Sequence, residues 1–75
     1  MKIGEYEVYL KDYGTLDTVL NVYSPMQHYA NIDGDVVFSQ EYASQFRKEN
    51  GDLTDEGFEI LANEAIEEYE ERLSA

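Results

Sequence analysis

Residues 54–73 read TDEGFEILANEAIEEYEERL. Within them Phe58, Leu61, Ala62, Ala65, Ile66, Tyr69 and Leu73 recur at the i, i+3, i+4 spacing of one helix face. At about 100° per residue they make a stripe roughly 120° wide. The remaining positions are dominated by Asp55, Glu56, Glu59, Glu64, Glu67, Glu68, Glu70 and Glu71, with Arg72 as the one base. The pattern predicts an amphipathic helix over 54–73 with one side that needs a partner layer and an anionic side facing water. Thr54 is its N-cap, with Asp55 and Glu56 in the first turn where negative charge suits the helix dipole. Gly57 is expected to weaken that start by up to about 1 kcal/mol relative to Ala.

The partner layer lies upstream. Residues 2–11, KIGEYEVYLK, alternate as a strand, with Tyr6, Val8 and Leu10 on one face and Glu5, Glu7 and Tyr9 on the other. Asp12 to Thr15 carry turn chemistry. Residues 16–23, LDTVLNVY, fit a strand through Leu16, Thr18, Leu20 and Val22, and also a helix face through Leu16, Val19, Leu20 and Tyr23. The β-branched residues and the short return favour the strand. Pro25 ends it. Residues 27–32 and 35–38 flank Asp33-Gly34, a strong hairpin signal. Ser39 then caps a short helix over 39–50, with Arg47 and Lys48 in its last turn and Asn50-Gly51 closing it.

The order β-β-β-β-α-α predicts an α+β domain spanning 1–75. An antiparallel sheet over 1–38 carries the helices of 39–50 and 54–73 on one face. The expected core is Tyr6, Val8, Leu10, Leu16, Leu20, Val22, Val37, Tyr42, Phe46, Phe58, Leu61, Ala65, Ile66 and Tyr69.

Charge bounds the function. The 75 residues carry 17 acids and 5 bases, a formal charge of −12. Residues 51–75 hold nine of those acids and a single base. Such a surface repels phosphate, so the chain is expected to bind neither nucleic acid nor an anionic membrane directly, and to favour a cationic protein partner. There is no cysteine, hence no disulfide or thiolate site, and a reducing cytoplasm is the expected compartment. No signal-peptide core and no long apolar run interrupts the chain.

Motifs for chemistry are weak. His28 is the one histidine, with no cysteine or second histidine to share a zinc ion. Asn31, Asp33 and Asp35 have a calcium-loop rhythm, but Gly34 stands fourth and not sixth, and Tyr42 replaces the bidentate Glu. A count from Asp52 places Thr54, Glu56 and Gly57 well, then meets Asn63 at the last ligand position. There is no nucleophile elbow and no glycine-rich phosphate loop. No enzyme, metal or cofactor is expected.

What stands out is the acidic face. Glu64, Glu67, Glu68 and Glu71 are expected opposite the apolar stripe, with Glu56 on the same helix and Glu5, Glu7 and Tyr9 on the first strand, as partner-binding residues. The helix would carry about one net charge per 4 Å, close to the roughly 3.4 Å of a nucleic-acid strand. Like charges at i, i+3 and i, i+4 cost a few tenths of a kcal/mol per pair. Seven tyrosines add aromatic surface, with Tyr9, Tyr13 and Tyr29 expected outside, suited to arginine. The bland readings are a solvated face that keeps the chain soluble and tyrosines that fill a half-buried sheet.

In size, charge and layout the chain resembles small acidic phage-encoded nucleic-acid-mimic inhibitors of the anti-CRISPR and anti-restriction class. That resemblance implies a non-enzymatic inhibitor that occupies the Lys/Arg-rich nucleic-acid groove of a host defence protein, in the host cytoplasm. The alternative is a small structural or adaptor domain acting through homodimerisation or another protein contact.

Overall fold

The first extended run folds back on itself. Gly4 takes φ 60°, and Gly4-Glu5 turns the chain between β1 (Lys2–Ile3) and β2 (Tyr6–Leu10). The two pair antiparallel, Lys2 with Glu7 and Ile3 with Tyr6. The single strand expected over 2–11 is therefore a hairpin. The turn breaks the alternation: Ile3, which strict alternation would put with Glu5 and Glu7, pairs with Tyr6 instead. The computed structural model describes residues 1–11, 17–24 and 32–74. The expected turn at Asp12 to Thr15, Leu16, most of the 27–32 strand, Tyr13, Tyr29 and His28 lie outside those residues.

β3 (Thr18–Tyr23) and β4 (Asp35–Phe38) complete a four-stranded antiparallel sheet in the order β1-β2-β3-β4. Residues 18–23 are thus strand, as β-branching indicated. Asp33-Gly34 does not form the expected type I′ turn, since Gly34 is not at positive φ. The Gly34 carbonyl accepts from Val22 N at 2.8 Å, extending the β3–β4 ladder. Asp33 Oδ1 accepts from Asp35 N at 2.9 Å, an Asx turn that leads into β4. Ile32 belongs to no strand.

Register sets the faces. Val8 opposes Val22, Leu10 opposes Leu20, and Leu20 opposes Val36. Val8, Thr18, Leu20, Val22 and Val36 are buried on that face. Val36 is inside and Val37, expected in the core, is outside, because only Val36 shares a face with Leu20. Leu10 and Tyr42 are also more exposed than expected. Leu10 ends its strand, and Tyr42 lies on a short helix.

That helix, α1 (Gln40–Ala43), starts at Ser39, whose hydroxyl accepts from Tyr42 N at 3.2 Å. It tightens into a 3-10 turn at Ser44–Phe46 and stops. The helix expected over 39–50 ends early because its downstream backbone bonds elsewhere. Arg47 pairs with Leu53, Lys48 N donates to Asp52 O, and Thr54 N donates to Phe46 O. Arg47 and Lys48 thus lie beyond the helix. Gly51, at φ 94°, serves the tight loop between them and not a helix end.

α2 (Asp55–Ser74) follows, capped by Thr54 Oγ1, which accepts from Gly57 N at 2.9 Å. Leu61, Ala62, Ala65, Ile66 and Tyr69 are buried against the sheet. The fold is α+β, with one long C-terminal helix and one short helix. Tyr69 is fully buried. Its ring meets Tyr6 edge-on at 6.0 Å, and its hydroxyl lies 3.1 Å from Ser24 Oγ. Among the described residues no buried side-chain nitrogen or oxygen lacks a partner.

Gly57 is a packing residue. A Cβ there would stand 2.5 Å from Phe46 Cβ and 2.8 Å from Thr54 Oγ1. Gly57→Ala therefore destabilises the fold by about 1–3 kcal/mol through overpacking, in spite of the roughly 1 kcal/mol that Ala gains in helix propensity. Urea unfolding checks this; a stabilised variant would show that the 3-10 turn does not press on α2.

Candidate functional site

The outward side of α2 is built by burial of the other side. With the apolar stripe pinned to β3 and its neighbours, about 100° per residue turns Glu67 nearly opposite the sheet. Asp55, Glu56, Glu59, Glu67, Glu70 and Glu71 are exposed. The four glutamates expected to act together divide in two.

Glu64 and Glu68 are engaged within the fold. Glu64 is half-buried and accepts the Tyr42 hydroxyl at 2.7 and 2.9 Å through its two oxygens. Glu68 falls on the shoulder of the helix, where Oε1 pairs with Arg72 Nη2 at 3.3 Å. Arg72 also donates through Nη1 to the carbonyls of Asp33 at 2.9 Å and Asp35 at 2.7 Å. Glu67 and Glu71 have no hydrogen-bond or ion-pair partner among the described residues. With Glu70 and Ser74 they line a shallow, open groove at the C-terminal half of the helix.

Glu70 extends this acidic patch to the sheet. It accepts the Tyr6 hydroxyl at 3.0 Å. Partial burial, the Glu70 hydrogen bond and the charges of Glu70 and Glu5 push the Tyr6 phenol above its usual 10.0. Glu5, in the β1–β2 turn, adds its charge to the field on the Tyr6 hydroxyl. Glu7 and Tyr9 lie elsewhere. Both sit at strand positions on the sheet face turned away from α2. The structure therefore places Glu56, Glu67 and Glu71 on α2, Glu5 in the β1–β2 turn near Tyr6, and Glu7 and Tyr9 on the far face of the sheet.

Two residues were missed in the sequence. Glu70 was counted among the acids but not singled out, and its tyrosine partner became visible only with the hairpin. Ile60 is 46% exposed amid Glu56, Glu64 and Glu67. The signal was present, since Ile60 falls outside the apolar stripe at helical spacing.

The oxygens that suggested a calcium loop have other partners. The Asp35 carboxylate takes the Lys11 ammonium at 3.0 and 3.1 Å and Asn21 Nδ2 at 2.8 Å. Asn50 and Asp52 bond each other, and Thr54 caps α2. The Asn21 amide, followed by Lys11 and Arg72, holds the Asp35 carboxyl below its usual 3.8, while partial burial works the other way. No three His, Cys, Asp or Glu side chains form a metal-binding group among the described residues. No described helix is long and apolar enough to cross a membrane.

Comparison with known proteins finds no matching family model, no matching curated protein and no matching solved structure. The site must therefore be interpreted from its own geometry.

Two titrations test that geometry. The Glu64 hydrogen bond, then partial burial and the Glu64 charge, raise the Tyr42 phenol above 10.0. In Glu64→Ala the Tyr42 midpoint, followed by NMR of its ring carbon, falls toward 10.0; an unmoved midpoint would mean the contact is not held in solution. Asp35 acts at the other end of the scale. Its folded pKa lies below the unfolded value, so its contribution is complete above pH 3.8 and is lost as pH falls through the folded value. Asp35→Asn accordingly loses stability against wild type near neutrality, and the gap closes in strong acid. Thermal unfolding across pH measures it.

Proposed function

We propose that the protein is a non-enzymatic binding module whose α2 face occupies a Lys/Arg-rich groove of the kind that holds a nucleic-acid backbone. One observation carries this reading. The exposed acids of α2 are presented outward on a long helix, and Glu67 and Glu71 are left without a partner among the described residues. A 20-residue helix is about 30 Å long. Its net charge of −7 gives roughly one charge per 4 Å, against about one per 3.4 Å on a nucleic-acid strand.

Charge at that density attracts a basic groove from a distance and competes with phosphate for the same cations. Ile60, in the middle of the acids, adds an apolar contact that nucleic acid does not offer. The resemblance in size, charge and layout to phage-encoded inhibitors extends the proposal to a host defence protein as target and the host cytoplasm as its compartment. Inhibition is then stoichiometric, with no bond made or broken.

Glu67→Lys combined with Glu71→Lys tests this without touching an internal contact. The affinity-captured partner of the wild-type chain is a nucleic-acid-binding protein, and duplex DNA or RNA displaces it. Binding weakens steeply as salt rises. The doubly reversed variant binds roughly 10- to 100-fold more weakly while its unfolding curve is unchanged or slightly improved. Equal capture by the reversed variant, or binding indifferent to salt, would refute the proposal.

A further inference from the structure

α2 carries one large apolar residue on its outward side. Ile60 is 46% exposed, while Phe58 and Leu73 are half-buried against the core. At about 100° per residue it lies within about 20° of Glu67 and Glu71, nearly opposite the buried stripe. The fold does not ask for it. Glu, Gln and Lys all suit an exposed helix position better than a β-branched residue does.

Ile60 has an apolar neighbour. Phe46 presses on α2 at Gly57, where an added Cβ would collide with Phe46 Cβ. The Tyr42 ring meets Phe46 edge-on at 5.5 Å, and its hydroxyl reaches Glu64 at 2.7 Å. α1 and the 3-10 turn therefore follow one flank of α2 from Gly57 to Glu64. Ile60 falls between those two points along the axis, about 40–60° round toward solvent. Tyr42 is itself 37% exposed. Lone exposed aliphatic residues are ordinary, but two large apolar residues side by side make a patch.

Acids ring the patch. Glu56, Glu64 and Glu67 surround Ile60 on α2, and Glu41 stands next to Tyr42 on α1. α1 has no base, and the one base of α2, Arg72, is turned to the carbonyls of Asp33 and Asp35. An apolar centre inside a charged rim is the anatomy of a protein-binding surface. The rim admits a cationic partner, and the centre gains nothing from a purely ionic one.

We propose that Ile60 and Tyr42 are the specificity-determining centre of the α2 face, and that this face takes a Lys/Arg-rich protein segment with an apolar side chain between its bases. The inference rests on the reading of α2 as an anionic binding face and adds what that face selects among cations. The acids attract from a distance, and salt screens them. Ile60 and Tyr42 add an apolar contact that moderate salt leaves almost unchanged. A basic surface without an apolar side chain is attracted but not retained.

Two synthetic peptides of equal length and equal Lys/Arg content serve as probes, one with leucine at its centre and the other with glutamine there. Fluorescence anisotropy with the full chain follows their binding across a salt series. The leucine peptide binds roughly 10-fold more tightly, and the ratio persists as salt weakens both. Ile60→Gln erases the preference without lowering the urea midpoint, and Ile60→Leu keeps it. Glu67→Lys with Glu71→Lys weakens both peptides alike. Equal binding of the two peptides by the wild type, or a preference that survives Ile60→Gln, would overturn the proposal. If the double reversal still weakens both peptides in that case, the anionic reading stands and this inference alone falls. If the double reversal changes nothing, or neither peptide binds at low salt, the anionic reading falls and takes this one with it.

Discussion

The contact on which the molecule depends is the seat of α2 on β3. Ala62 and Ala65 keep the helix close, while Leu61, Ile66 and Tyr69 fill the space over Leu20, Val22 and Val8. Each large side chain buried there contributes about 1.5–3 kcal/mol. Tyr69 carries a polar tip into this layer and resolves it against Ser24. Once the stripe is seated, nothing else about the helix is optional: its rotation is fixed, and with it the direction of every carboxylate. The same seat puts every described helix contact on one face of the sheet.

The cations do structural work. Arg72 closes the outer edge of β4 by taking the carbonyls of Asp33 and Asp35, groups that would otherwise offer an edge for another strand. Lys11, just past the end of β2, reaches Asp35 on β4. Arg47 ties the loop after α1 to β3 through Thr18 Oγ1 at 2.6 Å and also takes the Gly51 carbonyl. Three of the five bases thus join elements, and Arg47 and Arg72 reach backbone and hydroxyl oxygens in doing so. The acidic field comes from composition and also from where the few positive charges are held.

How much was legible follows from the range of each signal. The long helix, its Thr54 cap and the Ser39 cap are local patterns of period 3.6 and hydrogen bonds over three residues, and they were readable. β-branching placed β3. The Gly4 turn was not readable from alternation over Tyr6 to Leu10, because that pattern lies wholly within β2 and only Ile3, which pairs with Tyr6, departs from it. Val36 and Val37 are equally apolar neighbours; only the register against Leu20 chooses between them, and register is a long-range property. Asp33-Gly34 satisfied a hairpin rule, yet its polar groups serve an Asx turn and the β3 ladder. Gly57 looked like a flaw in the helix until Phe46 was placed against it. The split of the acidic cluster was hidden for the same reason, since Tyr42 and Tyr6 reach Glu64 and Glu70 from distant elements.

Folding alone does not account for the acidity of α2. Exposed helix positions need polarity, and Lys serves there as well as Glu on propensity. Alternating the two would add about 0.2–0.5 kcal/mol for each i, i+4 pair, where like charges now subtract a similar amount. Those losses are small beside the burial of the opposite stripe, so the fold tolerates them, but it does not call for them. Tyr42 and Tyr6 show what a carboxylate recruited by the fold looks like: half-covered or tethered, with a hydroxyl pointed at it. Glu67 and Glu71 have no such contact among the described residues. Their charge is directed only outward, which is the arrangement expected when the complementary cation belongs to another molecule.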